Sequence, residues 1–297
     1  MLRGISSLIE PERLTVVVNT GDDEVFHGLH VSPDVDTVLY TLAGLVDPAQ
    51  GWGIRGDSFA CLEMLERYYD ETWFRLGDRD LATHVWRTDL LRRGRSLSFV
   101  TRAIARSLGV RARVLPMSDD PVRTFVDVAE RGPLPFQQYL VRDGGAGDVR
   151  AIRLRGLRRA TPARGVLAAL RAPRRIILPP SNPFVSIAPI LSLPGVRAAL
   201  RRAAARVVAI SPILGDKPVK GPLDRMLRGL GHEVSPVGVA RLYRGLVHAF
   251  VLDRRDAALA PRIAELGMRP VLADTLMTTP AKSRRLAAVA LEALRSA

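Results

Sequence analysis

The apolar positions of the chain fall into two patterns. Short runs of consecutive apolar, often β-branched residues stop abruptly at polar tips. Leu14 to Val18 stops at Asn19-Thr20-Gly21-Asp22-Asp23, and Arg175 to Leu178 stops at Pro179-Pro180-Ser181-Asn182-Pro183. Val207 to Ile210 stops at Ser211-Pro212, and Arg269 to Ala273 stops at Asp274-Thr275; Ala249 to Leu252 is a further run. Between them lie stretches with apolar residues three or four apart: Gly195 to Ala205, Leu223 to Leu230, Ala257 to Leu266 and Pro280 to Arg295. Continuous apolar strands separated by helices predict a Rossmann-like parallel sheet covered by helices on both faces. Ligands of such sheets sit outside the carboxyl ends of the strands. Those ends carry Asn19, Asp22, Ser181, Asn182, Ser211 and Asp274.

The middle of the chain reads differently. From about Asp57 to Gly109 the spacing is helical, as in Phe59-x-x-Leu62-x-x-Leu65 and Leu81-x-x-x-Val85, with Ser96 as N-cap of a helix ending before Gly109. Strands are expected at Arg111 to Leu115, Arg123 to Val128 and Val149 to Leu154. The expected organisation is one α/β domain over 1–297. Its nucleotide-binding core covers about 1–47 and 165–297, and a helical insertion with a small β layer covers about 48–164.

Composition narrows the class. At 297 residues, 47% hydrophobic and 25% charged, the chain is of globular type and needs no disulfide or metal to fold. No apolar run approaches the roughly 20 residues of a membrane span. Glu10, Pro11 and Glu12 interrupt the N-terminus too early for a signal peptide. The lone Cys61 favours a reducing, cytoplasmic setting. The net charge is +14, yet only Lys217, Lys220 and Lys282 of the 44 basic residues are lysines. The arginines are spread out, with short tracts at Arg92-Arg93-Gly94-Arg95, Arg153 to Arg159, Arg174-Arg175 and Arg201-Arg202. A solvated basic surface, which also favours polyanionic small substrates, explains this better than a dedicated nucleic-acid patch.

Five acidic residues, Asp22, Asp23, Glu24, Asp34 and Asp36, stand within fifteen positions. Carboxylates after a strand suit Mg²⁺, which takes a few oxygen ligands and keeps water and phosphate for the rest. Pro33, Asp34 and Asp36 equally suit a helix N-terminus, with the helix running from Thr37 to Val46. In Arg75-Leu76-Gly77-Asp78-Arg79-Asp80 the aspartates are helix caps by default, and Arg75 and Arg79 can pair with an anion. Ser181-Asn182-Pro183-x-x-Ser186 is either a plain turn or a cradle for a phosphate or base. The loop from Ser211 to Pro222 holds Lys217 and Lys220, point charges suited to phosphate. His27-x-x-His30 has metal spacing but no supporting ligand pair, and Cys61 is expected in the core. No Gly-x-Ser-x-Gly, Walker A or Gly-x-Gly-x-x-Gly motif occurs.

Taken together, these segments resemble the 2-phospho-L-lactate transferase family. The resemblance is carried by Val17-Val18-Asn19-Thr20-Gly21-Asp22-Asp23, Pro33-Asp34-Val35-Asp36-Thr37, Gly51-Trp52-Gly53-Ile54, Leu76-Gly77-Asp78-Arg79-Asp80-Leu81-Ala82-Thr83-His84 and Met117-Ser118-Asp119-Asp120-Pro121. Pro180-Ser181-Asn182-Pro183, Ser211-Pro212-Ile213-Leu214 and Ala273-Asp274-Thr275-Leu276-Met277 continue it. It implies transfer of a phospholactyl or phosphoenolpyruvyl group from a guanosine-diphosphate-linked donor to 7,8-didemethyl-8-hydroxy-5-deazariboflavin, with release of GMP, in biosynthesis of coenzyme F-420. It also implies Mg²⁺ and a homodimer. Asp36 and Arg75 would contact the deazaflavin. Asp22 and Asp36 would serve metal binding and catalysis. Ser181, Asn182, Ser186, Ser211, Lys217 and Lys220 would hold the donor nucleotide. Family members open with a strand and a glycine-rich loop, and Met1-Leu2-Arg3-Gly4-Ile5 resembles the helix after that loop, so the resemblance implies either a start codon placed too far downstream, the simpler reading, or a truncated, impaired protein. Two other readings are a non-catalytic sugar-nucleotide-binding regulator on the same fold and a basic nucleic-acid-associated protein, which leaves the acidic cluster unexplained.

Overall fold

The computed structural model describes residues 1–171 and 175–294. Arg174 and Arg295 lie outside them. The strands are β1 (Thr15–Val18), β2 (Glu24–Phe26), β3 (Leu29–Val31), β4 (Arg113–Pro116), β5 (Arg123–Val128), β6 (Gly132–Pro135), β7 (Val149–Arg155), β8 (Ile176–Leu178), β9 (Val207–Ile210), β10 (Ile213–Leu214), β11 (Lys217–Pro218), β12 (Ala249–Asp253) and β13 (Arg269–Ala273).

The expected α/β architecture is present. Strands β8, β9, β12 and β13 form a parallel sheet in that order, with Ile176 opposite Val207, Val208 opposite Ala249, and Ala249 opposite Arg269. β9 and β12 are buried along their whole length, which is why their sequences are continuously apolar. A second parallel pair, β1 and β4, runs from Thr15 opposite Arg113 to Val18 opposite Pro116. The two parallel units share one core layer: Val17, Leu115 and Met117 pack in the same cluster as Leu178, Val207, Ala209, Phe250 and Leu252. On the other face, helix Pro280–Glu292 covers β9 and β12 through Leu286 and Ala290. Helices Pro33–Leu42 and Leu97–Ser107 cover β1 and β4 through Val35, Leu39, Val100 and Ile104. Helix Leu2–Ser6 lies against the last helix so closely that a Cβ on Gly4 would fall 2.2 Å from the Ser283 carbonyl oxygen.

The small β layer is the antiparallel sheet β6-β5-β7. Several expectations change. The strand expected at Arg111 to Leu115 is β4, the parallel partner of β1, and not part of that layer. Its apolar side chains are buried against core helices, a long-range fact that neighbouring sequence does not carry. The helix expected from Thr37 to Val46 starts at Pro33 and ends at Leu42, with Asp34 and Asp36 both in its first turn. Val46 instead bridges to Ile54. Cys61 is exposed, while Leu62 turns inward. The hairpins β2–β3 and β10–β11 were not anticipated. Ser96 caps its helix as expected, accepting from the Phe99 N–H. Among the described residues no single helix is long and apolar enough to cross a membrane.

Candidate active site at the tip of the first strand

Asn19 organises the tip of β1. Its Oδ1 accepts from the Gly21 N–H at 2.8 Å, closing a tight turn. Its Nδ2 donates to Asp34 Oδ2 at 3.0 Å and to the Val185 carbonyl at 3.2 Å. One side chain thus joins the end of β1, the first turn of helix Pro33–Leu42 and the π-turn Pro183–Ile187 that follows β8. Gly21 leaves room for this closure: a Cβ there would fall 2.6 Å from Thr124 Oγ1 and 3.0 Å from Asn19 Oδ1, so these side chains would have to shift. The Thr124 N–H in turn donates to the Gly21 carbonyl at 2.7 Å.

This turn buries Asp22, only 6% exposed, together with Asp23, Thr20 and Thr124. Asp22 Oδ1, Asp23 Oδ1, Thr20 Oγ1 and Thr124 Oγ1 are all buried without a hydrogen-bond partner. Four such atoms in one place are unusual, since buried polar atoms are nearly always satisfied. A cavity of about 60 Å³ opens here, lined by Asp22, Asp23, Glu24, Arg123, Thr124 and Gln137 among others. That is room for an ion and waters. Burial, then the neighbouring Asp34, pushes the Asp22 carboxyl well above its ordinary range; Thr124 and Asn19 offset only part. Burial also pushes Asp34 up to about 6, against the Asn19 hydrogen bond. Carboxylate and hydroxyl oxygens lacking donors are the ligand chemistry of a hard divalent cation, so the residues present fit an ion of that class.

Behind this pocket lies a second acidic cluster. Asp36, Asp80 and His84 each bring a possible metal-ligand atom to within 4.8 Å of the others. Arg87 is threaded among them with 0% exposure. Its Nη1 donates to Asp36 Oδ2 at 2.9 Å, and its Nη2 donates to Asp36 Oδ1. The same Nη1 lies 3.1 Å from His84 Nδ1. Tyr40 Oη donates to Asp80 Oδ1 at 2.6 Å. Burial raises Asp36 despite Arg87. Burial would also raise Asp80, but the His84 ring and the Tyr40 hydroxyl hold it below its usual range. Asp23 faces this side too, with Oδ2 3.0 Å from His30 Nε2 and accepting from Ser32 Oγ at 2.8 Å.

The other expected residues fall outside these two clusters. Arg75 is exposed, its guanidinium 4.4 Å over the Phe59 ring. Asp78 caps a neighbouring helix, accepting from the Ala60 and Cys61 N–H groups and from Ser58 Oγ. Asn182 Oδ1 caps the π-turn through the Phe184 and Val185 N–H groups, and its Nδ2 points to Met226 Sδ at 3.2 Å. Ser181 and Ser186 are half-buried on the same segment. Ser211 is fully buried, its hydroxyl both donating to and accepting from the Ile213 backbone. Lys217 and Lys220 are exposed on and just after the β10–β11 hairpin. Lys282 pairs with Asp274 at 3.1 Å. The His27 ring lies 4.6 Å from that of Tyr69, tilted by 60°, and His30 meets Asp23, so the pair does not converge.

Sequence reasoning gave no site role to Arg87, Thr124, Arg123 or Gln137, although Phe136-Gln137 is among the segments that carry the family resemblance. Thr124 had a signal: it is the polar residue at an inward position of the alternating strand β5. Arg87 had none, because an arginine in a polar helix reads as solvated.

A twisted parallel α/β fold with carboxylates and small polar groups gathered at its strand tips is the architecture of an enzyme that binds its ligand at the carboxyl edge of the sheet. A family model described as 2-phospho-L-lactate transferase CofD matches residues 1–292. The chain belongs to the 2-phospho-L-lactate transferase family. It is 41% identical over 293 residues to a 2-phospho-L-lactate transferase of Methanosarcina mazei, covering 99% of this chain and 96% of that protein. It is also 41% identical over 296 residues to a phosphoenolpyruvate transferase of Streptomyces griseus, covering 98% and 93%. Its fold is shared with protein BH3568 of Bacillus halodurans, at a TM-score of 0.66 and 15% identity over 98% of this chain and 94% of that one.

Proposed function

We propose that the chain transfers a phospholactyl or phosphoenolpyruvyl group from a guanosine-diphosphate-linked donor to the ribityl hydroxyl of 7,8-didemethyl-8-hydroxy-5-deazariboflavin, releasing GMP, in coenzyme F-420 biosynthesis. The reading is carried by one observation: a family match along nearly the whole chain falls on a fold whose first strand tip buries carboxylates without enough donors. Relatives of both names match at equal identity, which supports the shared chemistry of a phosphorylated three-carbon acid.

In this reaction the acceptor hydroxyl oxygen bonds to the phosphorus that carries the three-carbon acid. The bond from that phosphorus to the GMP oxygen breaks, and the hydroxyl proton is released. Such transfers need alignment and charge neutralisation more than covalent catalysis. Bound Mg²⁺ would offset the diphosphate charge at the β1 tip. Asp22 would hold it, with Asp34 beside it. Asp36, through its Arg87 pair, fixes the helix turn from which Asp34 projects. Arg75 presents a planar cation braced on Phe59 to the acceptor. Lys217 and Lys220 reach the donor phosphates from their hairpin. Ser181 and Ser186 contact the nucleotide, while Asn182 and Ser211, whose side chains bond the backbone, shape the loops that hold it.

A homodimer and a cytoplasmic location complete the reading, supported by the family resemblance and the lone Cys61. The dispersed arginines support attraction of anionic small substrates rather than nucleic acid. Mass spectrometry of the protein with Mg²⁺, the deazaflavin and each donor in turn should show the phosphodiester conjugate and GMP with one of them. Saturable nucleotide binding without any GMP release would favour the regulator instead.

A further inference from the structure

The inner cluster invites a metal by its donor set, yet its geometry says otherwise. The guanidinium of Arg87 already lies between two of its three members, donating to both oxygens of Asp36 and sitting 3.1 Å from His84 Nδ1. A guanidinium stays protonated at every physiological pH, so it cannot step aside by losing its charge. With Nδ1 facing a donor, the ring proton of His84 belongs on Nε2, 3.2 Å from Asp80 Oδ1. Nδ1, the nitrogen that keeps its lone pair, is therefore spent on the guanidinium, while Nε2 is buried without a hydrogen-bond partner of its own. Asp80 is further occupied by the Tyr40 hydroxyl. A divalent ion placed here would also sit within a few ångströms of a fixed positive charge.

The first turn of helix Pro33–Leu42 joins the two clusters. Asp36 faces Arg87, whereas Asp34, two residues earlier, meets Asn19 at the β1 tip. Clamping Asp36 from behind therefore sets where Asp34 points.

We propose that Arg87 is a positioning residue whose guanidinium takes the place of a metal ion within the Asp36–Asp80–His84 cluster, leaving the β1 tip as the cation site. This rests on the reading that a divalent cation serves the reaction, and the test keeps the two apart. The probe is Mn²⁺, titrated into EDTA-treated full-length protein and followed by pulsed electron paramagnetic resonance, which detects nitrogen coupling from a histidine ligand. The wild type should bind one Mn²⁺ without coupling from His84, and Asp22→Asn should weaken that binding at least tenfold. Arg87→Met should gain a second Mn²⁺ with nitrogen coupling, and the double variant Arg87→Met/His84→Gln should lose it. Nitrogen coupling in the wild type that disappears in His84→Gln would overturn the proposal, and this measurement holds even if Arg87→Met does not fold. A folded Arg87→Met that gains no second ion would overturn it too. Failure of the wild type to bind Mn²⁺ at all would sink the metal reading of the β1 tip, while the gain in Arg87→Met would still decide the role of Arg87.

Discussion

Asp22 and Asp253 occupy the same topological place and have opposite fates. Each lies at the carboxyl end of a parallel strand, β1 or β12, and each is nearly inaccessible, at 6% and 2%. Burial alone pushes both carboxyls upward. At Asp253 it is overwhelmed: Oδ1 accepts from the Arg255 N–H at 3.1 Å and Nε at 2.8 Å, and Oδ2 accepts from the Thr275 N–H and Oγ1, each at 3.0 Å. Those donors hold Asp253 far below the usual carboxylate range. At Asp22 the largest influences, burial and Asp34, act together, and the carboxyl rises well above that range. Asp253 is a joint between the loops after β12 and β13. Asp22 lacks the partners a purely structural carboxylate would have, which marks it for a ligand.

The sharpest way to break this contrast is to neutralise each carboxyl in turn. Asp22→Asn should lower the transfer rate by about 10² to 10³-fold, the scale expected for losing one charge-stabilising group at a reacting centre, with Tm unchanged or raised. Initial rates of GMP release and a thermal melt check both halves. A variant that unfolds but keeps its rate when folded would make Asp22 a second Asp253. Next in size, Asp253→Ala should cost about 3 kcal/mol in urea unfolding, because four donors lose their acceptor, while the rate of the folded fraction stays near wild type. The same bonds set an acid limb. A carboxyl depressed on folding stabilises above its unfolded pKa, and that stability drains as pH falls toward the folded value. The urea midpoint should therefore drop below about pH 4, and Asp253→Asn should flatten that drop. A smaller effect is expected on the nucleotide side. Lys217→Met with Lys220→Met should raise the donor KM about tenfold, in line with one or two lost phosphate contacts, and the difference should shrink in high salt.

The contrast also explains what the chain disclosed before folding. The parallel strands were legible because burial on both faces writes a continuous apolar run, as in Val207–Ile210. Their tips were legible because polar residues must begin where the sheet ends. Distances were not. Nothing local says that Thr124 closes over Gly21, or that Arg87 reaches back to Asp36 across 51 positions. For the same reason Asp36 resembled a free carboxylate, whereas the fold ties both of its oxygens to a buried guanidinium. Arg75 and the lysines, being exposed, keep the roles the family resemblance implies as proposals.

The least dramatic test concerns carboxylates that are neither starved nor locked. Asp57 Oδ1 accepts from the Arg79 N–H at 2.8 Å and Oδ2 from the Asp80 N–H at 3.1 Å, so it caps helix Asp78–Arg92 from outside. Gly77, at the N-cap itself, has no side chain to do so, and a Cβ there would collide with Asp57 Oδ2 at 2.3 Å. Asp78 returns the service to helix Ala60–Leu65. The aspartates at 57 and 78 are thus a pair of exchanged caps, the default role of Asp78 in this motif. Asp57→Ala should cost about 1 kcal/mol, the usual loss for an N-cap, and Asp57→Asn less. The same helix carries Asp80, His84 and Arg87, so fraying its first turn should loosen Asp80 before it touches Arg87, two turns further on. Hydrogen exchange should then accelerate at Asp80 to Thr83 with little change at Arg87. Equal acceleration along the whole helix would mean that the cap, and not the buried Arg87 pair, holds the helix in place.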